Sequence, residues 1–311
     1  MQDSSKAGKD SKYNPKGEGE TMMTMQGKIC LITGGTNGIG KSTAQELARM
    51  GATVVIVGRD AQKTSQVVEE IRAASGNNKV DSLLADLSSQ QEIRRLANEF
   101  KNKYSHLHVL LNNAGAVFMQ RQLSVDGIEM TFALNHLGYF LLTNLLLDTI
   151  KASAPARIIN VSSGTHTSGK IEFDNLQGEQ DYSPKAYDNS KLAIILFTME
   201  LAHRLEGTGV TVNALHPGFT STGFGKNNPG FLMNLIRAVV PLIAHSPQKG
   251  AGTSIYLASS PAVQSITGKY FVDCKVTQPA PQATVMVVAR KLWGASAEMV
   301  HLAEGMPEMA K

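Results

Sequence analysis

A tyrosine and a lysine four residues apart, Tyr187 and Lys191, are suited to proton transfer. In a helix this spacing places the two side chains one turn apart on the same face. A cation beside a phenol favours the phenolate, so we expect Lys191 to lower the pKa of Tyr187 toward the range that is useful for a general acid or base. The same spacing also occurs on solvated helix faces, so the pair alone is weak evidence for a catalytic site.

Two adjacent hydroxyl side chains, Ser162 and Ser163, follow an apolar run that is typical of a strand. Open α/β sheets bind ligands at the carboxyl ends of their strands, which is where these hydroxyls would lie. Serines at strand ends also cap the element that follows, because their side chains accept main-chain hydrogen bonds. Both interpretations stay open at this point.

A glycine-rich segment between a predicted strand and a predicted helix is suited to phosphate binding. Its sequence is Thr33-Gly34-Gly35-Thr36-Asn37-Gly38-Ile39-Gly40. Glycines let the main chain turn tightly and approach a pyrophosphate, whose charge is stabilised at the positive N-terminus of a helix. The spacing differs from G-x-G-x-x-G, and the phosphate-loop pattern of kinases and ATPases is absent although Lys41-Ser42 follows. A dinucleotide is therefore favoured over a nucleoside triphosphate, with a purely structural turn as the alternative.

The residues after the second predicted strand, Gly58-Arg59-Asp60, bear on which dinucleotide would bind. In dinucleotide-binding folds a carboxylate at this point binds the free 2′-hydroxyl of NAD. Gly58 removes that carboxylate, and the guanidinium of Arg59 is suited to a 2′-phosphate. We expect Asp60 to cap the next helix. The sequence thus predicts NADP(H), with NAD(H) less favoured.

The elements that would position these residues alternate between short β-branched runs and longer amphipathic segments. The predicted strands cover 28–33, 53–57, 80–85, 109–111, 157–161, 210–214 and 270–272. The predicted helices cover 38–50, 61–74, 88–104, 130–151, 187–205 and 247–258. Strands that are apolar along their whole length indicate a sheet covered on both faces, and the alternation predicts right-handed crossovers. We therefore predict a single Rossmann-type α/β domain with a doubly wound parallel sheet of about seven strands.

Composition and charge narrow the class of protein. The chain has 311 residues, a 42% hydrophobic content that is ordinary for a globular protein, and a formal net charge of only +4. No dense basic stripe with interleaved aromatic residues is present, so nucleic-acid binding is not expected. Residues 1–24 are polar and predicted to be disordered, whereas 25–311 form the domain, with a C-terminal extension from about 280.

The sequence also bears on membrane association and on cellular location. The apolar stretch 231–244 is interrupted by polar residues and is shorter than the roughly 20 residues that span a bilayer. We expect no transmembrane segment, although peripheral membrane contact stays open. Cys30 and Cys274 have no metal-ligand spacing and cannot form a disulfide framework, so no metal is expected and a reducing, cytoplasmic location is favoured.

Taken together and in order, these residues resemble the short-chain dehydrogenase/reductase family. The resemblance extends from about Met25 to the end of the chain. Beyond the residues already discussed, it rests on Asp86-Leu87, Asn112-Asn113-Ala114-Gly115, Asn135, His216-Pro217-Gly218 and Thr222. It implies an oxidoreductase that transfers hydride between a nicotinamide cofactor and a small-molecule carbonyl or alcohol.

The resemblance also implies a role for each matching residue. Tyr187 would be the general acid in reduction and the general base in oxidation, and Lys191 would hold the nicotinamide ribose. Ser163, chosen over Ser162 on the resemblance alone, would bind the substrate oxygen, and Asn135 would anchor a water that relays protons. The cofactor-binding residues, besides Tyr187 and Lys191, would be Gly34, Thr36, Asn37, Gly38, Ile39, Gly40, Arg59, Asp86 at the adenine, Leu87, Asn113, Ala114, Gly115, Pro217, Gly218 and Thr222.

Within the family, the sequence is most similar to retinol-dehydrogenase-like members. The similarity rests on the runs 134–138, 175–179, 271–274 and 290–293, and on an insertion over 165–185 that lengthens the gap between Ser163 and Tyr187. It implies a lipophilic substrate, retinal-like or another aldehyde or ketone. The apolar segment 219–244 is predicted either to form a lid over the substrate side or to pack as an amphipathic helix.

Two alternative functions and one oligomeric state remain as hypotheses. A catalytically silent NADP(H)-binding sensor or scaffold would use the same fold, although such proteins usually lose the serine, tyrosine or lysine. The extended epimerase/dehydratase branch shares the tyrosine and lysine, but it would have a glycine where Asn37 stands and a longer C-terminal region. A homo-oligomer is expected because the helix after Tyr187 is apolar beyond one face. Trp293 is expected to be a packing residue.

Overall fold

The strands of this protein form one twisted sheet in the order β3-β2-β1-β4-β5-β6-β7-β8. The structure is a computed structural model and describes residues 24–218 and 246–302. The strands are β1 (Ile29–Thr33), β2 (Thr53–Gly58), β3 (Val80–Leu84), β4 (Val109–Asn112), β5 (Ala156–Val161), β6 (Val210–His216), β7 (Lys269–Val272) and β8 (Lys275–Thr277). Strands β1 to β7 are parallel, and their order reverses beside β1, which makes the sheet doubly wound. The predicted single α/β domain is confirmed.

Helices cover both faces of the sheet, as the uniformly apolar strands required. They are α1 (Gly38–Arg49), α2 (Ala61–Ser75), α3 (Gln90–Lys103), α4 (Met130–Ala152), α5 (Lys185–Arg204), α6 (Pro247–Ser259) and α7 (Met286–Met299). Helices α1, α2 and α6 pack on one face with Cys30 and Ile32 of β1, whereas α3, α4, α5 and α7 pack on the other face with Leu31. Successive residues of one strand thus serve two buried cores.

The sheet has one strand more than the sequence predicted. Strand β8 is antiparallel to β7 and joins it through Asp273 and Cys274, whose φ angles are +47° and +62°. Two central residues with positive φ suit the twist of a tight hairpin, and such turns usually contain glycine or asparagine. Because the turn contains neither glycine nor asparagine and β8 is only three exposed residues long, this strand could not be predicted from the sequence.

Helix α4 is by length and composition the one described helix that could cross a membrane. Its mean hydropathy is 1.3, and 83% of its most apolar stretch is buried within the fold. Packing against the sheet is therefore sufficient to explain why this helix is so apolar. Its first part contains a π-helical turn, Ala133–Leu137, which carries Asn135. Such turns insert a residue into a helix and often occur at functional sites.

Helix α7 of the C-terminal extension packs across α5. Trp293 is 7% exposed, and its ring centroid lies 4.8 Å from that of Phe140 and 5.8 Å from that of Phe197. This confirms Trp293 as a packing residue. Arg204 of α5 also lies over the Trp293 ring. The second apolar face of α5, from which we predicted a homo-oligomer, thus has a partner within the chain, and oligomerisation stays a prediction without that argument.

Candidate active site

Tyr187 and Lys191 lie one turn apart near the start of α5, as their spacing predicted. The Lys191 Nζ atom is 5.5 Å from the centroid of the Tyr187 ring. Lys191 is only 3% exposed, and its ammonium donates a hydrogen bond of 3.0 Å to the carbonyl oxygen of Val161 at the end of β5. This bond ties the start of α5 to the carboxyl edge of the sheet and directs both side chains there.

The expected direction of the Tyr187 pKa is wrong for the protein alone. Burial raises the pKa of Tyr187 above its ordinary value, and the hydrogen bond with the Ser163 side chain only partly opposes this. Burial also lowers the pKa of Lys191 to about 7. Removal from water disfavours the charged form of each group, and it is the largest cause of both shifts. Both side chains therefore tend to the neutral state at the same site.

The two serines after β5 have different surroundings. The hydroxyl of Ser162 is buried and donates to the main-chain oxygen of Lys191 at 2.7 Å, which holds β5 against α5. Ser163 is more exposed, starts the 3₁₀ turn Gly164–Ser168 and hydrogen-bonds Tyr187 through its side chain. The geometry thus gives Ser162 a structural partner and brings Ser163 to Tyr187, in agreement with the choice made from the resemblance.

Asn135 is fully buried and connects three elements. Its Oδ1 accepts from the Ala116 N–H at 2.9 Å, and its Nδ2 donates to the Ala116 carbonyl at 2.9 Å and to the Ser190 hydroxyl at 3.0 Å. Ser190 in turn donates to the carbonyl oxygen of Tyr187 at 2.7 Å. The side chain therefore fixes the loop after β4 relative to the start of α5. Its role in anchoring a water stays a prediction.

The Asn113-Ala114-Gly115 segment after β4 packs directly on the glycine turn after β1. The Asn113 amide donates to the carbonyl oxygens of Thr33 at 2.9 Å and Gly34 at 3.2 Å. The Thr33 hydroxyl accepts from the main-chain N–H groups of Asn113 at 2.8 Å and Ala114 at 3.1 Å. Asn113 therefore joins the loops after β1 and β4. Gly115 lies beside Lys191, since a Cβ there would be 3.5 Å from Lys191 Nζ.

The glycine turn has the conformation that its composition predicted. Gly34 and Gly38 have φ angles of +64° and +52°, and a Cβ on Gly34 would lie 2.9 Å from Ala114 Cα. Asn37 precedes the helix without capping it, whereas the side chains of Asp60, Ser89 and Ser246 cap α2, α3 and α6. The first N–H groups of α1 are thus not satisfied by a side-chain cap, and a helix N-terminus of this kind suits an anion. Thr36 belongs to this turn, and Ile39 lies in the first turn of α1.

The residues after β2 and β3 lie at the same carboxyl edge of the sheet. Gly58 is required by packing, because a Cβ there would overlap Thr64 Oγ1 and Thr36. Arg59 is exposed. The Asp60 Oδ1 atom accepts from the Lys63 N–H at 2.8 Å, which confirms the role of Asp60 as a helix cap. Arg59 is thus the charged residue of this turn that is left to face a ligand.

The remaining predicted residues complete this edge. Asp86 is exposed after β3 and accepts from the Ser88 N–H at 2.9 Å and hydroxyl at 2.7 Å, whereas Leu87 is buried. Pro217 and Gly218 directly follow β6, and Gly218 has a φ of +76°. Thr222 and the apolar segment 219–244 lie outside the described residues. Every predicted site residue that the structure describes therefore follows one of the strands β1 to β6 or lies on α1, α4 or α5.

Three residues of this site received no role from the sequence. Thr33 has the hydroxyl that joins the loops after β1 and β4, and the only signal for it was its place directly before the glycine turn. His166 and His216 bond the main chain beside Ser163, at 2.7 Å from the Ser163 oxygen and 3.0 Å from the Gly164 nitrogen respectively. Their partners could not be found from spacing, since His216 and Gly164 are 52 positions apart.

Known proteins with similar sequences and folds agree with this geometry. The short chain dehydrogenase family matches residues 28–230. An uncharacterised protein from Mycobacterium paratuberculosis has a TM-score of 0.72 and 30% identity, covering 90% of this chain and 96% of its own. A Pseudomonas aeruginosa RhlG/NADP complex has a TM-score of 0.65 and 30% identity, covering 80% and 96%. The chain therefore belongs to the short-chain dehydrogenase/reductase family and is an oxidoreductase.

Curated relatives place it further within the family. Human retinol dehydrogenase 13 is 44% identical over 285 residues, which cover 90% of this chain and 86% of the relative. Human retinol dehydrogenase 14 is 45% identical over 294 residues, which cover 89% and 88%. The protein is thus a retinol-dehydrogenase-like member, as the runs 134–138 and 175–179 predicted.

Proposed function

We propose that this protein is an NADP(H)-dependent reductase of lipophilic aldehydes or ketones. The observation that carries the proposal is the meeting of Ser163, Tyr187 and Lys191 at the carboxyl edge of the sheet. The lipophilic substrate class is taken from the resemblance to retinol dehydrogenases, which are named for a substrate of this kind. Retinal is therefore the first member of the class to test.

The residues at this edge fit a nicotinamide dinucleotide. The uncapped N-terminus of α1 would hold the pyrophosphate, and the close approach of Gly40 to the Gly34 carbonyl leaves no side chain in its way. Arg59 would pair with a 2′-phosphate through charge-assisted hydrogen bonds. Gly58 provides no carboxylate at the end of β2, and Asp60 is engaged as the cap of α2, so Arg59 is the residue of this turn best suited to a ligand phosphate. These features favour NADP(H) over NAD(H).

Each site residue has a separate role in the proposed reduction. When bound, NADPH supplies the hydride. Tyr187 holds the proton that passes from its hydroxyl to the carbonyl oxygen of the substrate, and the raised pKa keeps that proton in place at neutral pH. The Ser163 hydroxyl donates to the same oxygen as negative charge develops on it. Lys191 would hold the nicotinamide ribose, and in its protonated form it would stabilise the phenolate that remains.

The proposal also covers the cellular location of the protein and its contact with membranes. Cys30 and Cys274 are both free thiols, which is consistent with a reducing compartment such as the cytoplasm. A lipophilic substrate would reach the site from a membrane or a carrier, so peripheral membrane contact fits the same function. Fractionation of cells that express the full chain, with and without a salt wash, would separate a cytoplasmic protein from a peripheral one and from an embedded one.

The decisive experiment measures NADPH oxidation with a panel of lipophilic aldehydes and ketones that includes retinal, with NADH in parallel. Tyr187→Phe should lower kcat by at least about 100-fold, since it removes the general acid. The control Tyr104→Phe removes a hydroxyl that hydrogen-bonds Asp81 away from the site, and it should leave kcat unchanged. Tight NADPH binding without turnover of any carbonyl would contradict the proposal and favour a cofactor-binding sensor.

A further inference from the structure

The peptide bond between Ser163 and Gly164 is held at both ends by imidazoles to which the proposed reaction gives no part. Its carbonyl oxygen lies 2.7 Å from Nδ1 of His166, and its N–H donates to Nδ1 of His216 at 3.0 Å. A carbonyl can only accept and a main-chain N–H can only donate. His166 is therefore the donor and His216 the acceptor at these two atoms.

The second nitrogen of His166 has a main-chain partner too. The N–H of Ala280, in the C-terminal extension, donates to His166 Nε2 at 3.1 Å. His166 is 2% exposed, and its ring centroid lies 5.0 Å from that of Tyr270 on β7. With one nitrogen donating and the other accepting, the ring must be neutral and carry its proton on Nδ1. His166 thus connects the extension to the main chain of Ser163.

His216 ends β6, and its ring lies against Gly164. A Cβ on Gly164 would be 3.2 Å from His216 Nε2, so the close contact depends on glycine. Burial lowers the pKa of both histidines. The pKa of His216 is also raised by the nearby Asp273 carboxylate and lowered by His166. The neutral rings that the hydrogen bonds require are therefore also the forms that burial favours near neutral pH.

Fixing this peptide unit fixes the direction of the Ser163 side chain. A peptide plane has no internal rotation, so holding its oxygen and its N–H restricts the main chain immediately after Ser163. The Ser163 hydroxyl must reach both Tyr187 and the substrate oxygen, and misplacement by about 1 Å can cost about 100-fold in rate. We propose that His166 and His216 are positioning residues that clamp the Ser163–Gly164 peptide and thereby hold Ser163 for catalysis, an inference that rests on the proposed function.

Asparagine and leucine variants separate the hydrogen bonds from the bulk of each ring. The amide of asparagine can place a donor or an acceptor where Nδ1 stands, so His166→Asn and His216→Asn keep the bond to the peptide. His166→Leu and His216→Leu remove it. We expect each leucine variant to lower kcat by at least about tenfold with little change in KM for NADPH, and each asparagine variant to stay within about threefold of wild type.

A double variant and a matched control sharpen the test. Because both histidines hold one peptide unit, the double leucine variant should lose less activity than the product of the single losses. His108→Leu is the control, since His108 Nδ1 also accepts from a main-chain N–H, that of Ile29, but at the amino end of β4. It should leave kcat unchanged. Leucine variants that fold, bind NADPH and keep kcat within about twofold of wild type would overturn the proposal.

The ring nitrogens give a readout that does not depend on turnover. In ¹⁵N NMR spectra of the full chain at pH 7, His166 should carry its proton on Nδ1, and His216 should carry its proton on Nε2. The opposite tautomer or a charged ring at either position would refute the clamp, even if the leucine variants failed to fold. If the tautomers are as expected but wild type reduces no carbonyl, the proposed function fails and the clamp stands as a structural feature.

Discussion

The Thr33 hydroxyl offers a quantitative test of how the cofactor side of the site is built. It is fully buried, accepts from the N–H groups of Asn113 and Ala114, and donates to the Leu111 carbonyl at 3.3 Å. Thr33→Val keeps the shape of the side chain and removes the oxygen. Two partly buried main-chain N–H groups then lose their acceptor, which costs up to about 1–3 kcal/mol each. Allowing for partial relaxation, the free energy of unfolding should fall by about 2–4 kcal/mol.

Urea denaturation followed by circular dichroism measures this change, and an NADPH titration measures its effect on binding. Thr33→Ser is the matched variant, because it keeps the hydroxyl and loses only a methyl group. It should restore most of the lost stability. The loop after β4 and the glycine turn should also separate in Thr33→Val, so we expect NADPH to bind at least about tenfold more weakly. A loss of stability below about 0.5 kcal/mol in Thr33→Val would refute the assignment of these bonds.

Two further predictions concern charge at the site. Arg59→Asp should raise KM for NADPH by about 10- to 100-fold and favour NADH, because a charge-assisted pair is worth about 1.5–3 kcal/mol. The control is Lys79→Asp, at an exposed position on the amino edge of the sheet, which makes the same change in net charge and should not alter cofactor preference. An unchanged cofactor preference in Arg59→Asp would contradict the assignment of Arg59 to the 2′-phosphate. Because burial lowers the pKa of Lys191 to about 7, the free enzyme loses the ammonium as the pH rises through that value. The kcat/KM for reduction should therefore decline above about pH 7. A flat profile up to about pH 8.5 would count against the role of the Lys191 cation. The Lys191→Arg variant should show a flatter decline, because a guanidinium stays charged over this range.

The main sheet was predictable because its parallel strands are buried on both faces. Strands β1, β2 and β4 are almost continuous apolar runs, and each of the strands β1 to β5 is followed along the chain by a helix, so pattern and packing agree. Strand β8 has none of these properties, since its residues 275–277 are exposed. The hairpin depends instead on positive φ angles at Asp273 and Cys274, residue types that do not specify such a turn.

The site was predictable where short spacing or a strand end determines position. Tyr187 and Lys191 lie one turn apart on a helix, and Ser163 follows β5, so their meeting depends on local geometry that the sequence contains. The pKa of Tyr187 was not predictable in the same way, because burial of both groups depends on how α5 packs. The partner of His166 could not be predicted, since Ala280 is 114 positions away and contributes a main-chain N–H that any residue except proline would supply.

The raised pKa of Tyr187 and the lowered pKa of Lys191 have one physical consequence for catalysis. The protein alone holds a protonated phenol and an amine that loses its charge near pH 7, so burial opposes formation of the charged pair. A phenolate arises only when the Tyr187 proton moves to the substrate, and the cation at Lys191 is most useful at that moment. These two pKa shifts favour proton donation by Tyr187, which is what the proposed reduction requires. Oxidation of an alcohol would need the phenolate beforehand and should require a higher pH than reduction.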